Sequence, residues 1–147
     1  MIRPATPADL ATLREIEADS ATAAHWSDQE YERLFTGESG RLVWVIEEKA
    51  LLGFLVAHQI GPEWELENIA VRQDSLRRGL ASALLFRLFE VLREQRAESV
   101  FLEVRESNVA ARALYEKHGF ILTGRRRDYY RNPSEDAVLY HKPVGSR

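Results

Sequence analysis

The run Glu67-Asn68-Ile69-Ala70-Val71, followed closely by Arg77-Arg78-Gly79-Leu80-Ala81, decides how this chain is read. The first stretch has the apolar character of a buried strand, and the second is a charged turn opening a long amphipathic helix. A strand that feeds a tight turn before a helix start builds an anion cradle. Gly79 and Ala81 let the main chain approach a ligand closely. The free N–H groups of the helix start, from Gly79 through Leu80, Ala81 and Ser82, lie at the positive end of the dipole, where phosphate oxygens fit. An ordinary strand-to-helix turn with a solvated pair, Arg77 and Arg78, fits this segment equally well.

Composition narrows the class. The 147 residues are read as a single domain over 1–142 with a frayed tail at 143–147, long enough for one well-filled core. With 45% hydrophobic and 29% charged residues the chain is of the soluble globular type, and a net charge of −3 gives no reason to expect nucleic acid as a partner. No segment approaches the length of a membrane span, and Met1-Ile2-Arg3-Pro4 lacks the apolar core of a signal peptide, so the expected location is cytoplasmic. The lack of cysteine excludes disulfides, thiolate metal sites and a cysteine nucleophile. His25, His58, His118 and His141 show no ligand spacing, and no metal is expected.

The periodicity predicts one α/β unit without repeats. Thr6, Pro7 and Asp9 form a helix start, and Leu10, Leu13, Ile16 and Glu17 continue the helix toward Ser20 with an apolar stripe. Ser27 with Glu30 starts a short helix to about Phe35, and Gly37 and Gly40 end this helical half. Three antiparallel strands follow, Leu42 to Glu47, Leu51 to Ile60 and Trp64 to Val71. The helix after Gly79 carries Leu80, Leu84, Leu85, Leu88, Phe89 and Leu92 on one face, and Val100 to Val104 reads as a buried strand. Asn108 to His118 is a helix stopped by Gly119, with Phe120 to Gly124 and Ala137 to His141 as the last strands.

These segments, in order and spacing, resemble the GNAT superfamily of N-acetyltransferases. The resemblance rests on the opening Ile2 to Thr6 with Asp9-Leu10, on NIAV at Asn68 to Val71 and on RRGLASALL at Arg77 to Leu85. It continues through LEVRESNVAARALYEKHGF at Leu102 to Phe120, RRRDYY at Arg125 to Tyr130 and DAVLY at Asp136 to Tyr140. Within the superfamily the chain is most similar to bacterial ribosomal-protein-alanine N-acetyltransferases, with Trp26-Ser27 where that branch has Pro-Trp-Ser. The resemblance implies a central twisted, mostly antiparallel sheet flanked by helices, with acetyl-CoA as co-substrate. Leu76 departs from the pattern, which places Gln or Arg three positions before the glycine. Because the pyrophosphate contacts of this fold are mostly main-chain N–H groups, one lost side-chain bond costs about 0.5–1.5 kcal/mol.

The resemblance also implies roles. The backbone of Ile69, Ala70 and Val71 binds the cofactor's amide arm like an added strand. Asn108 bonds the pantetheine arm or phosphate region, Tyr115 protonates the departing thiolate, and Glu103 takes the amine proton through water. Tyr129 and Tyr130 hold the substrate's N-terminal residues, with the arginines around them facing solvent or acidic substrate side chains. A buried Glu103 is expected to have a raised pKa, which suits a base. Read from the residues alone, Glu103 could pair with Arg105 or Arg125, and Tyr115 could be a packing aromatic. Glu65, which alternation places on one face with Glu67, is the second candidate base or a solvated edge carboxylate. The expected acceptor is a protein N-terminus beginning with alanine. A lysine or small-amine acetyltransferase and a non-catalytic acyl-CoA-binding module are the alternatives.

Overall fold

The computed structural model describes residues 1–36, 40–131 and 133–145, so Gly37 and the end of the expected tail at 146–147 lie outside the described residues. A seven-stranded mixed sheet is covered by helices on both faces. Its strands are β1 (Ile2–Pro4), β2 (Arg41–Glu47), β3 (Leu51–Ile60), β4 (Glu63–Val71), β5 (Ser99–Arg105), β6 (Ile121–Tyr130) and β7 (Glu135–Pro143). The helices are α1 (Leu10–Asp19), α2 (Asp28–Glu32), α3 (Leu80–Glu94) and α4 (Val109–Lys117).

Local chemistry sets the helix starts. The Thr6 N–H donates to Asp9 Oδ2 at 2.8 Å, fixing the 3₁₀ turn Pro7–Asp9 that leads into α1. Ser27 and Glu30 exchange bonds, Ser27 N–H to Glu30 Oε1 at 2.9 Å and Glu30 N–H to Ser27 Oγ at 3.3 Å, and α2 begins there. On α3 the stripe Leu80, Leu84, Leu85, Leu88, Phe89 and Leu92 is buried as the 3.6 period requires.

The strand order is β1-β2-β3-β4-β5-β7-β6. Every neighbouring pair is antiparallel except β4 with β5, which α3 joins as the crossover. The continuous apolar runs of β2 and β3 are explained by burial on both faces. Trp44, Ile46, Leu55 and Ala57 meet α3 and α4, while Val43, Val45, Phe54 and Val56 meet α1 and α2. Gly53 is needed where β3 crosses β4, because a Cβ there would stand 2.7 Å from Ala70 O. Between β3 and β4 the register passes from Val56↔Asn68 to Ala57↔Leu66, so Glu67 is the extra residue of a bulge.

Three expectations change. A further strand, β1, pairs with β2 ahead of the three antiparallel strands read from the sequence. The strand expected to stop at Gly124 runs on to Tyr130, through register shifts and the left-handed Asp128 at φ 50°. At the start of the expected tail, β7 reaches Pro143, and the Val144 N–H donates to Glu98 O at 3.0 Å, so these two residues are not frayed. No helix among the described residues is long and apolar enough to cross a membrane.

Candidate active site

β4 and β5 pair only over Glu63–Glu65 against Ser99–Phe101, and past Glu65 they part. Two cavities open at that parting. The first, of about 460 Å³, is lined by Glu65, Glu67, Glu103, Tyr115, Tyr129 and Tyr130, closed on the other side by Thr22 to Trp26 and bordered by Asn108. The second, of about 330 Å³, lies at the start of α3, with Val71, Gly79, Leu80, Ala81 and Ser82 on one wall and Ala110, Ala113 and Lys117 on the other. Thr22 lines both.

The first cavity gathers carboxylates. Glu65 and Glu67 come from neighbouring turns of the β4 pleat and its bulge, and Glu103 from β5, where its neighbours Leu102 and Val104 point into the core. Burial, and then the charges of Glu67 and Glu103, push the Glu65 carboxyl up to about 7. Glu67 is clasped by Arg41, Nε to Oε1 at 2.7 Å and Nη2 to Oε2 at 3.1 Å. Glu103 Oε2 is buried 3.3 Å from Arg126 Nε, an ion-pair distance that lacks hydrogen-bond geometry, and has no hydrogen-bond partner among the described residues. Its cation is therefore neither Arg105 nor Arg125. Arg105 binds Glu135 at 3.1 Å and lies 4.3 Å over the Tyr130 ring, and Arg125 binds Glu106 at 2.7 Å and Asp136 at 3.2 Å. Arg125, Arg126 and Arg127 remain exposed, as expected of this segment, while Arg125 and Arg126 also take part in these ion pairs.

Tyr115 is at once packed in the core and turned to the cavity. It is 5% exposed and packs edge-on to Phe120 at 5.6 Å, yet it also lines the carboxylate cavity. Burial raises its pKa well above the usual phenol value, with Tyr130 adding to the effect, so it keeps its proton across the working range. Tyr129 and Tyr130 stand edge to face at 5.1 Å. Glu103 raises the Tyr129 hydroxyl, and burial followed by Glu103 pushes Tyr130 up to about 12. Asn108 spends its side-chain oxygen on the Ala111 N–H at 3.1 Å, capping α4 at the cavity's border.

The second cavity has the build of an anion site. Gly79 is left-handed at φ 75°, and a Cβ there would meet nothing within 4 Å, so glycine serves backbone conformation rather than space. Arg77 is also left-handed, at φ 66°, and lines the cleft. Arg78 does not; it pairs with Glu48 on the β2–β3 connection. Ser82 Oγ lies 2.7 Å from His118 Nε2. Burial, with Lys117 and Lys142, lowers the His118 pKa, so a neutral ring shares this hydrogen bond with the serine hydroxyl. Leu76, the departure from the pattern, is half-exposed at the rim.

The β5-facing edge of β4 carries the backbone groups singled out at 69–71. Thr22 Oγ1 donates to Ile69 O at 2.9 Å, and the Val71 N–H donates to Ser20 Oγ at 3.3 Å. Ala70 turns instead toward β3, opposite Phe54. Sequence reasoning missed these hydroxyl partners because they lie about fifty residues away. Histidine spacing also concealed a grouping across β3 and β4: His58 pairs in register with Glu65, and ligand atoms of His58, Glu65 and Glu67 lie within 4.8 Å of one another.

Residues 10–120 match the model of the acetyltransferase (GNAT) family, and the chain belongs to that family. The [ribosomal protein bS18]-alanine N-acetyltransferase of Salmonella typhimurium is 36% identical over 141 residues, which cover 92% of each chain. The crystal structure of the Escherichia coli ribosomal-protein-S18-alanine N-acetyltransferase superposes with a TM-score of 0.84 at 33% identity, covering 99% of this chain and 94% of that one. A GNAT acetyltransferase from Elizabethkingia anophelis, solved with acetyl-CoA bound, shares the fold at a TM-score of 0.77 and 19% identity, over 98% of this chain and 97% of its own. The chain is accordingly an N-acetyltransferase with acetyl-CoA as its acyl donor.

Proposed function

We propose that this enzyme acetylates the N-terminal α-amine of a protein, with an alanine-initiated ribosomal protein as acceptor, acting in the cytoplasm. The observation that carries the reading is the joining, at Thr22, of a cleft built for phosphates with a cavity holding two candidate bases, Glu103 and Glu65, and a protonated phenol, Tyr115. The donor lies with its pyrophosphate on the N–H groups of Gly79 to Ser82 and its amide arm along Ile69 to Val71, displacing the hydroxyls of Ser20 and Thr22. The thioester then sits at the junction. A free N–H of β4 polarises its carbonyl, Glu103 draws the amine proton through water, and Tyr115 returns a proton to the thiolate. Atoms balance: the C–S bond breaks as the C–N bond forms, and the amine's proton leaves to the carboxylate.

A second assignment of the base has its own support. The Glu65 carboxyl, pushed up to about 7, is matched to an amine that titrates near 7.7–8.0, so Glu65 fits the proton-accepting role as well as Glu103 does. A lysine near 10.4 holds its proton far more tightly, which favours the α-amine as acceptor. The acceptor panel is an alanine-initiated peptide, the same peptide with a blocked N-terminus and an internal lysine, and a set of polyamines. Transfer to the first at more than tenfold the kcat/KM of the others is expected. Equal or faster transfer to the blocked peptide or to the polyamines overturns the assignment.

A further inference from the structure

Glu17 is a charged side chain inside a helix–sheet interface, 5% exposed, where an apolar residue would ordinarily stand. Its carboxylate accepts from the Trp26 N–H at 3.0 and 3.2 Å and from Asn68 Nδ2 at 2.9 Å. Asn68, itself 2% exposed, accepts the Ala24 N–H on its Oδ1 at 2.9 Å. Three separate parts of the chain are thereby tied at one buried point: α1 through Glu17, β4 through Asn68, and the segment between α1 and α2 through the main chain of Ala24 and Trp26.

The position of that point matters. Asn68 follows the bulge at Glu67 and precedes the edge at 69–71, so it lies between the carboxylates of one cavity and the strand edge of the other. The tied segment supplies the wall from Thr22 to Trp26 that faces Tyr129 and Tyr130, and it includes His25 in the left-handed region at φ 58°. A non-glycine residue held there is costly for a loop left to itself and persists only where surrounding bonds determine it. The donor pattern is also directional. Asn68 must offer an N–H₂ to one neighbour and an oxygen to the other, which neither Asp nor Leu does.

We infer that Glu17 and Asn68 are positioning residues that set the width of the acceptor cavity by holding the 22–26 wall at a fixed place against β4. Neither makes or breaks a bond in the reaction. The inference rests on the reading of this cavity as the acceptor site, so the parent's transfer to the alanine-initiated peptide is measured first and stands or falls by itself.

The test is an isosteric exchange. Asn68→Asp sets two carboxylates face to face and breaks the pattern, whereas Glu17→Gln keeps it by placing its amide oxygen where Oε2 accepts from both Trp26 and Asn68. The double variant Glu17→Gln/Asn68→Asp restores it: the glutamine N–H₂ donates to the new aspartate, whose other oxygen still accepts from Ala24, and the glutamine oxygen accepts from Trp26. Asn68→Asp is expected to raise peptide KM about tenfold or more and Glu17→Gln to leave it within about threefold of the parent, while acetyl-CoA KM changes less than twofold in both. The double variant is expected to return peptide KM to within about threefold of the parent. Acrylamide quenching of Trp26, the one tryptophan outside the buried set that contains Trp44 and Trp64, gives a readout independent of turnover. It should rise in Asn68→Asp and recover in the double variant. Equal losses for peptide and cofactor in Asn68→Asp, or a folded double variant with the peptide KM or quenching of Asn68→Asp, overturns the inference. Where Asn68→Asp fails to fold, the double variant alone decides, by the same two measurements against the parent.

Discussion

Replacing Glu65 by glutamine isolates one proton-linked cost of the site. In the fold this carboxyl is pushed from its ordinary 4.5 up to about 7, first by burial and then by Glu67 and Glu103. The folded chain therefore binds this proton more tightly than the unfolded chain does, and ionising Glu65 weakens the fold. Stability from this group is complete below pH 4.5, declines as pH rises through the window from 4.5 to about 7, and is fully lost above it. The full shift corresponds to about 3 kcal/mol, and screening by water in the open cavity reduces this to about 2 kcal/mol. Glu65→Gln should match the parent at pH 4 and exceed it by about 2 kcal/mol at pH 8, or roughly 4–8 °C in Tm for a chain of this size. Asp9, Glu47, Glu135 and Asp136 are held low by their hydrogen bonds and ion pairs, and they bring the opposite trend at lower pH. The difference between parent and variant cancels them. Urea melts at half-unit pH steps, paired with a pH–kcat profile, make the measurement. Parallel stability curves for the two proteins would refute the burial argument. Loss of a kinetic limb near pH 7 in Glu65→Gln but not in Glu103→Gln would make Glu65 the base.

Tyr115→Phe keeps the ring packed against Phe120 and removes the proton donor; kcat should fall about 10²-fold with acetyl-CoA affinity little changed, as turnover and calorimetry will report. A loss of stability with unchanged turnover per folded molecule would leave Tyr115 only its packing role. Gly79→Glu sets a side chain where φ is 75° and a carboxylate beside the N–H groups of α3, so acetyl-CoA affinity should drop at least tenfold by calorimetry. The fold should survive, because nothing lies within 4 Å of the added Cβ.

The parts legible in the sequence are those governed by local period. The α3 stripe and the doubly buried β2 and β3 runs follow from spacing alone, and Leu51–Ile60 is the strand expected there. β1 was not, since three residues ending in proline carry no alternation, and β6 was cut short because Arg125 to Asp128 are exposed on a sheet edge, where neither face imposes a pattern. At the site, residue types were readable and partners were not. Arg105 and Arg125 could each be read as the partner of Glu103, but it is Arg126, two residues on from the Gly124 that the register sets level with Glu103, that comes within 3.3 Å of it. Glu17 did carry a signal, a carboxylate within an apolar stripe, but its partners Trp26 and Asn68 become visible only when α1 is laid against β4.

The short parallel ladder at the middle of the sheet gives this protein uneven stiffness. Strands β1 to β4 form one panel and β5 to β7 another, each laced by antiparallel pairs along its length, while the panels are sewn together by three rungs at Glu63–Glu65. Bending or twisting concentrates at such a seam, so amides along its lips should exchange with solvent through small openings well before either panel unfolds. A molecule that spans both lips acts as a splint, converting its own binding energy into rigidity of the whole sheet.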